Sequence, residues 1–181
     1  MSKNHAICNS LSTMSWGVDA LVMAGVAGVD LDNGQLVTLK NINRTDAGAV
    51  KGYEYDVEPA TDGADNVWLV ESPEVGYDLE QQIHNDPRYF YVPAGKTLSL
   101  RGLVGGVDCI TMTKEDFASD TLPVVGDLGK YVAPAAGGKY GAPVAEAPAT
   151  GAYFRIEGFD NFTCGFEEVP GVILRCMANF H

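Results

Sequence analysis

The sequence predicts an all-β fold, a barrel or sandwich with an extended N-terminal arm and a long Ala/Gly/Pro-rich loop. Three observations lead there. A glycine turn feeding a short β run occurs twice, as Asp-Leu-Asp-Asn-Gly-Gln-Leu-Val-Thr-Leu at 30–39 and Val-Gly-Asp-Leu-Gly-Lys-Tyr-Val at 125–132. Gly beside Asp or Asn supplies the positive φ of a tight turn, and the next residues alternate toward Val. The 21 Gly and 9 Pro among 181 residues imply frequent chain reversals. No stretch follows the apolar i, i+3, i+4 pattern beyond about three helical turns.

Residues 1–28 read as an arm and lead-in. The first fifteen are small and polar without sustained periodicity, and 16–29 carries Ala20, Ala24, Gly25, Ala27 and Gly28, a composition too weak for a lone helix and suited to a buried lead-in. Residues 29–181 read as the β-rich domain, divisible into two similar units at 29–124 and 125–181. Strands are expected at Gly34–Lys40 and Ala49–Val57, pairing with each other, and at Val67–Val70, a short apolar run typical of a strand buried on both faces. Leu79–His84 suits one short helical turn. Arg88–Val92 and Thr97–Leu103 flank Pro93-Ala94-Gly95 and predict a hairpin or corner; Val107–Thr113 predicts a strand with a polar exit at Lys114–Phe117. After the second glycine turn, Gly129–Ala133 predicts a strand. The Ala/Gly/Pro-dominated 133–151 predicts an extended loop lying on a neighbouring surface or over the barrel end. Alternation at Ala152–Glu157 and Val172–Met177 supplies the closing strands.

A chain of this length buries a continuous core without disulfide help. Its net charge of −12 argues against nucleic-acid and anionic-membrane partners, which would be repelled, and leaves cationic partners open. Cys8, Cys109, Cys164 and Cys176 are too widely spaced for a metal knuckle and are expected as free thiols, although Cys164 and Cys176 are placed to meet across a hairpin. The apolar run at 18–29, broken by Asp19 and small residues, fits neither a signal peptide nor a membrane span. The two glycosylation sequons at Asn43 and Asn161 are read as chance matches.

No motif assembles a catalytic centre, and no catalytic residue, cofactor or metal is expected. Ala94-Gly95-Lys96-Thr97 ends like a phosphate-binding loop, but Phe90 stands where that motif needs Gly and Pro93 removes an amide. Asp30-Leu31-Asp32-Asn33-Gly34 is like a calcium loop lacking its spacing and its closing Glu, so a turn is expected. His5, His84 and His181 stand apart; only His84, beside Asp86, has an acidic neighbour worth testing. Between Lys51 and Arg88 no cation occurs while ten carboxylates accumulate, either a solvated face or a docking surface for a basic partner. Phe154, Phe159, Phe162 and Phe166 crowd a stretch read as a loop, where aromatics serve as interface anchors.

The successions 28–37, 125–133 and Gly151-Ala152-Tyr153-Phe154-Arg155-Ile156 resemble small β-rich virion proteins of tailed bacteriophages, in particular capsid decoration (cement) proteins. The resemblance implies a β-tulip or barrel that binds the outer surface of an assembled capsid and bridges neighbouring major capsid subunits. It also implies a homo-oligomer, a trimer being one form, made in the host cytoplasm and located on the capsid exterior. Contact candidates are Ser2, Lys3 and Asn4 in the arm, Ala135, Lys139 and Tyr140 in the Ala/Gly/Pro stretch, and Phe159 and Phe162 in the aromatic segment. The alternatives are a head-fibre base or tail component that adheres to host or carbohydrate, and an acidic enzyme without a recognisable motif.

Overall fold

The computed structural model describes residues 5–9, 21–84 and 86–179. Twelve strands and one short α-helix are present among them: β1 (Cys8–Asn9), β2 (Val22–Ala27), β3 (Leu36–Arg44), β4 (Val50–Pro59), β5 (Trp68–Val70), α1 (Leu79–His84), β6 (Thr97–Gly102), β7 (Cys109–Met112), β8 (Tyr131–Val132), β9 (Pro134–Ala135), β10 (Lys139–Tyr140), β11 (Tyr153–Cys164) and β12 (Glu167–Ala178). The fold is all-β, as the glycine turns and alternation predict. β2-β4-β3-β5-β6 close a barrel, sealed by the antiparallel β2–β6 pair, with β2–β4 its parallel contact. A second sheet runs β1-β7-β12-β11-β8, antiparallel throughout.

The barrel strands facing the second sheet are buried on both sides, because successive side chains of a strand point to opposite faces. Val37, Trp68 and Val70 enter the barrel core with Leu98 and Leu100. Leu36 and Leu69, one residue out of phase, enter a larger core shared with the second sheet, among Phe117, Tyr140, Phe154 and Leu174. This is why 67–70 is apolar without alternation. Asn179 stitches the layers: its side chain accepts from Val67 N at 2.8 Å and donates to Val67 O and Leu103 O.

Several expectations are corrected. The lead-in is a barrel strand at Val22–Ala27; a Cβ on Gly25 would lie 2.9 Å from Leu100 Cδ1, so the small residues serve close packing inside a closed sheet. The described part of the arm is also structured, with Ala6 and Ile7 buried and Cys8–Asn9 paired to β7. Arg88–Val92 is not a strand. Pro87 starts a 3-10 turn at Pro87–Tyr89 and Asp86 caps it by accepting from Arg88 N, leaving only Val92 in an isolated bridge to Leu31. The extended loop expected at 133–151 is regular in its first part, where 134–140 folds into β9, a 3-10 turn and β10; Gly138 lies so close to β3 that a Cβ there would overlap Leu36 O, and 141–151 carries only the isolated bridge of Val144 to Tyr131. The two glycine-launched runs open unlike elements, the nine-residue β3 and the two-residue β8, in different sheets.

Two hairpins outrun the sheets they belong to. β12 pairs with β7 only over Val172–Arg175 and β11 with β8 only at Phe154–Arg155, so Asp160–Cys164 and Glu167–Gly171 pair solely with each other. The β3–β4 hairpin likewise extends past its neighbours toward a turn at 45–49. The aromatic stretch is therefore a strand, not a loop.

Candidate interaction surface

The predicted contact residues do not converge. Ser2, Lys3 and Asn4 lie outside the described residues. Ala135 and Lys139 are half-buried in the β9–β10 pair. Tyr140 is fully buried, contrary to its expected interface role: its ring packs against Phe117 and Phe154 with centroids 5.9 and 5.2 Å away, and its hydroxyl donates to Gly34 O. Phe159 is exposed on the outer half of β11, while Phe162 is half-buried and lies across Gly171, whose missing Cβ leaves room for the ring.

The motif-like turns are structural. Gly95 N donates to Ala27 O and Lys96 N to Pro93 O, so the phosphate-loop-like segment is a closed β turn. In the calcium-like loop, Asp30 accepts from Ala94 N, Asp32 bonds His5 Nδ1 at 2.7 Å and Ala6 N at 3.2 Å, and Asn33 exchanges two bonds with Ser72. Those oxygens are committed to holding the N-terminal segment and the barrel turn. Among the described residues no cluster of three His, Cys, Asp or Glu is arranged for a metal ion, and no helix is long and apolar enough to cross a membrane. All four cysteines are free thiols; the β11–β12 register sets Cys164 opposite Glu167 and Cys176 opposite Phe154. Burial pushes the Cys176 thiol up to about 12, which keeps it unreactive. His84 lies in α1, its side chain outside the described ones.

The acidic block is partly neutralised by cations beyond its ends. Glu58 pairs with Lys40, Glu71 with Arg101, and Asp86 with Arg88, whose guanidinium also binds Glu167 at the β11–β12 tip. Arg88 thereby ties the hairpin tip to the 3-10 turn.

Around that tie lies a surface of inverted polarity. In α1 the inward residue is polar: Gln81 is 5% exposed, its Oε1 accepting from Tyr77 N and its Nε2 donating to Tyr91 O. The outward residues one turn apart are apolar, Leu79 at 72% and Ile83 at 69% exposure, with Val75 exposed on the approach. Asp78 starts the helix by accepting from Gln81 N, and Gly76 lets the chain run against the first turn. Two clefts of about 310 and 340 Å³ share Asp86 and Pro87, one reaching Glu74 and Gln82, the other Gly165 and Phe166. Phe166, at the hairpin tip, is fully exposed. The Glu74 carboxyl is raised by desolvation and then by the Asp86 charge. Sequence reading placed the helix at 79–84 and missed its face. The signal was Val75, Leu79 and Ile83 at four-residue spacing around paired Gln residues, a stripe whose direction only the fold reveals.

A second inversion lies inside. Asp116 is fully buried between the turn before β3 and the second sheet, and neither oxygen has a hydrogen-bond partner. A Cβ on Gly34 would come within 2.7 Å of Asp116 Oδ2 and 3.0 Å of Met112 Sδ. Desolvation, then Asp32 and Glu115, raise this carboxyl well above the usual carboxylate range, with Lys139 opposing.

No family model, curated protein or solved structure matches this chain.

Proposed function

We propose that this chain is a structural virion protein that binds the outer surface of an assembled phage capsid and stabilises it by bridging neighbouring major capsid subunits. The observation that carries the reading is the pair of hairpins, one outrunning the closed barrel and one the second sheet, each with an exposed aromatic: Tyr53 at 85% exposure on β4 and Phe166 at the β11–β12 tip. A rigid body with protruding two-stranded arms reaches across a subunit boundary, and large exposed aromatics are the usual anchors of such contacts. A protein that binds only the assembled shell stabilises that state by mass action. The sequence resemblance to decoration proteins points the same way.

Capsids lacking this chain are expected to open at lower temperature and under milder osmotic shock, and to recover when the purified protein is restored. Unchanged resistance would reject the reading. Binding of the isolated protein to host polysaccharide without any capsid would favour adhesion instead.

A further inference from the structure

Two adjoining clefts that share Asp86 and Pro87 run from α1, at Gln81 and Gln82, to the β11–β12 tip; Val75 lines the first and Phe166 the second, and Leu79 and Ile83 stand on the outward face of the same short helix. These apolar side chains, Val75, Leu79, Ile83 and Phe166, are all strongly exposed. None of them supports the fold from there: the helix is held from inside by Gln81 and capped by Asp78. Carboxylates line the clefts, namely Glu74, Asp86 and Glu167, and Asp78 stands at the start of α1. Arg88, the cation lining the second cleft, is already bonded to Asp86 and Glu167.

We propose that this surface docks a polypeptide segment with cationic side chains flanking apolar anchors, the carboxylates choosing the charge and Leu79, Ile83 and Phe166 receiving the anchors. Charge complementarity selects that occupant. A second copy meeting this face with its own would set carboxylates against carboxylates in a chain of net charge −12, and an anionic lipid surface would be repelled likewise. The elevated Glu74 carboxyl fits the same occupant, because an incoming ammonium or guanidinium relieves the repulsion from Asp86. Apolar anchors ringed by complementary charge give affinity from the centre and register from the rim. This deepens the capsid reading by naming the docking face, and only the choice of the shell as the partner rests on that reading.

Two measurements separate the surface from the partner. The first uses a synthetic peptide of about twelve residues, Leu at helical i, i+4 positions and Lys elsewhere, titrated into the full-length isotope-labelled protein. Amide shifts are expected to concentrate at 74–83, 86–88 and 164–168. Affinity is expected to fall about tenfold or more in both L79S/I83S and F166S, and on raising salt from about 50 to about 500 mM. Thermal midpoints of these variants confirm that they are folded. Shifts centred elsewhere, or affinity indifferent to both variants, overturn the proposal. The second is co-sedimentation with shells stripped of the protein. If wild type binds and L79S/I83S/F166S binds equally, the surface is wrong and the capsid reading stands. If wild type itself fails to bind while the peptide maps to this face, the capsid reading falls and the surface stands.

Discussion

The seam between barrel and second sheet and the outer face of α1 are opposites in chemistry and alike in logic. In the seam a carboxyl, Asp116, sits where an apolar side chain would pack; on the face Leu79 and Ile83 sit where charged side chains would be solvated. The seam inversion is enclosed by backbone that cannot move away, so its cost falls on folding. The face inversion touches nothing that folding needs, so its cost is a surface left open to a partner. Burying one such Leu or Ile is worth about 1.5–3 kcal/mol to whatever covers it.

The largest effect is expected from breaking the enclosure of the seam. Gly138 has φ 73°, and a Cβ there would overlap Leu36 O, a backbone atom fixed by its bond from Ala60 N. Gly138→Ala combines a left-handed conformation with that overlap and is expected to cost about 3 kcal/mol or more, read as a collapse of the urea midpoint. Gly137→Ala, the neighbour with φ 78° and open space around its Cβ, is expected to cost about 1 kcal/mol. Equal losses at the two positions would show that the close approach to β3 contributes nothing.

Next comes the inward side of the face. Gln81→Leu makes α1 conventionally amphipathic yet strands Tyr77 N and Tyr91 O, and about 2 kcal/mol of stability is expected to be lost. A gain in stability instead would mean that water replaces both bonds, and the helix would then have no polar anchor to explain its direction.

A gain is expected from relieving the seam inversion. The raised Asp116 carboxyl keeps its proton in the native state while the unfolded chain releases it near pH 3.8. The unfolded state therefore binds fewer protons, and stability falls as pH rises from that value toward the native one. His5 adds a smaller term of the same sign: its ring is raised, chiefly by the bond to Asp32, so its contribution is whole below pH 6.5 and fades as pH climbs through the native value. Asp116→Asn keeps the shape but removes the ionisation that favours the unfolded chain, and is expected to stabilise by about 1–2 kcal/mol at neutral pH, with the difference closing near pH 4. Chemical denaturation across that range checks it, and a difference that does not vary with pH rules out ionisation as the cause.

How much of this contrast could be read from the chain depends on direction. Strand positions at 36–40, 67–70, 97–102 and 153–157 were legible because alternation and glycine turns are local signals. Which face of β3 meets which core was not, since Leu36 and Val37 are equally apolar and only the second sheet separates them. Tyr140 looked like an anchor in a composition of Ala, Gly and Pro, whereas those small residues are what let β9–β10 sink until the ring is buried. The sequence around Phe159 and Phe162 resembles a loop because Gly158, Asp160 and Asn161 interrupt the apolar pattern. In a two-stranded arm there is no second layer to impose one. Asp116 and the α1 face were silent for a related reason. An Asp in a Lys-Glu-Asp run reads as solvent-facing, and a Leu in a short helix reads as core, until the fold states otherwise.

The smallest effect on folding is expected where the change looks most drastic. Leu79→Ser and Ile83→Ser together remove two large aliphatic side chains, a pair that in a core would cost several kcal/mol. Here both are mostly exposed, Asp78 and Gln81 hold the helix, and the thermal midpoint is expected to shift by no more than about 0.5 kcal/mol equivalent, with helix propensity supplying most of it. A loss of about 2 kcal/mol would place these residues in the protein's own core and remove the surface available to a partner. A near-neutral result joined to lost peptide and shell binding makes the opposite assignment: the seam carries stability, and the face carries recognition.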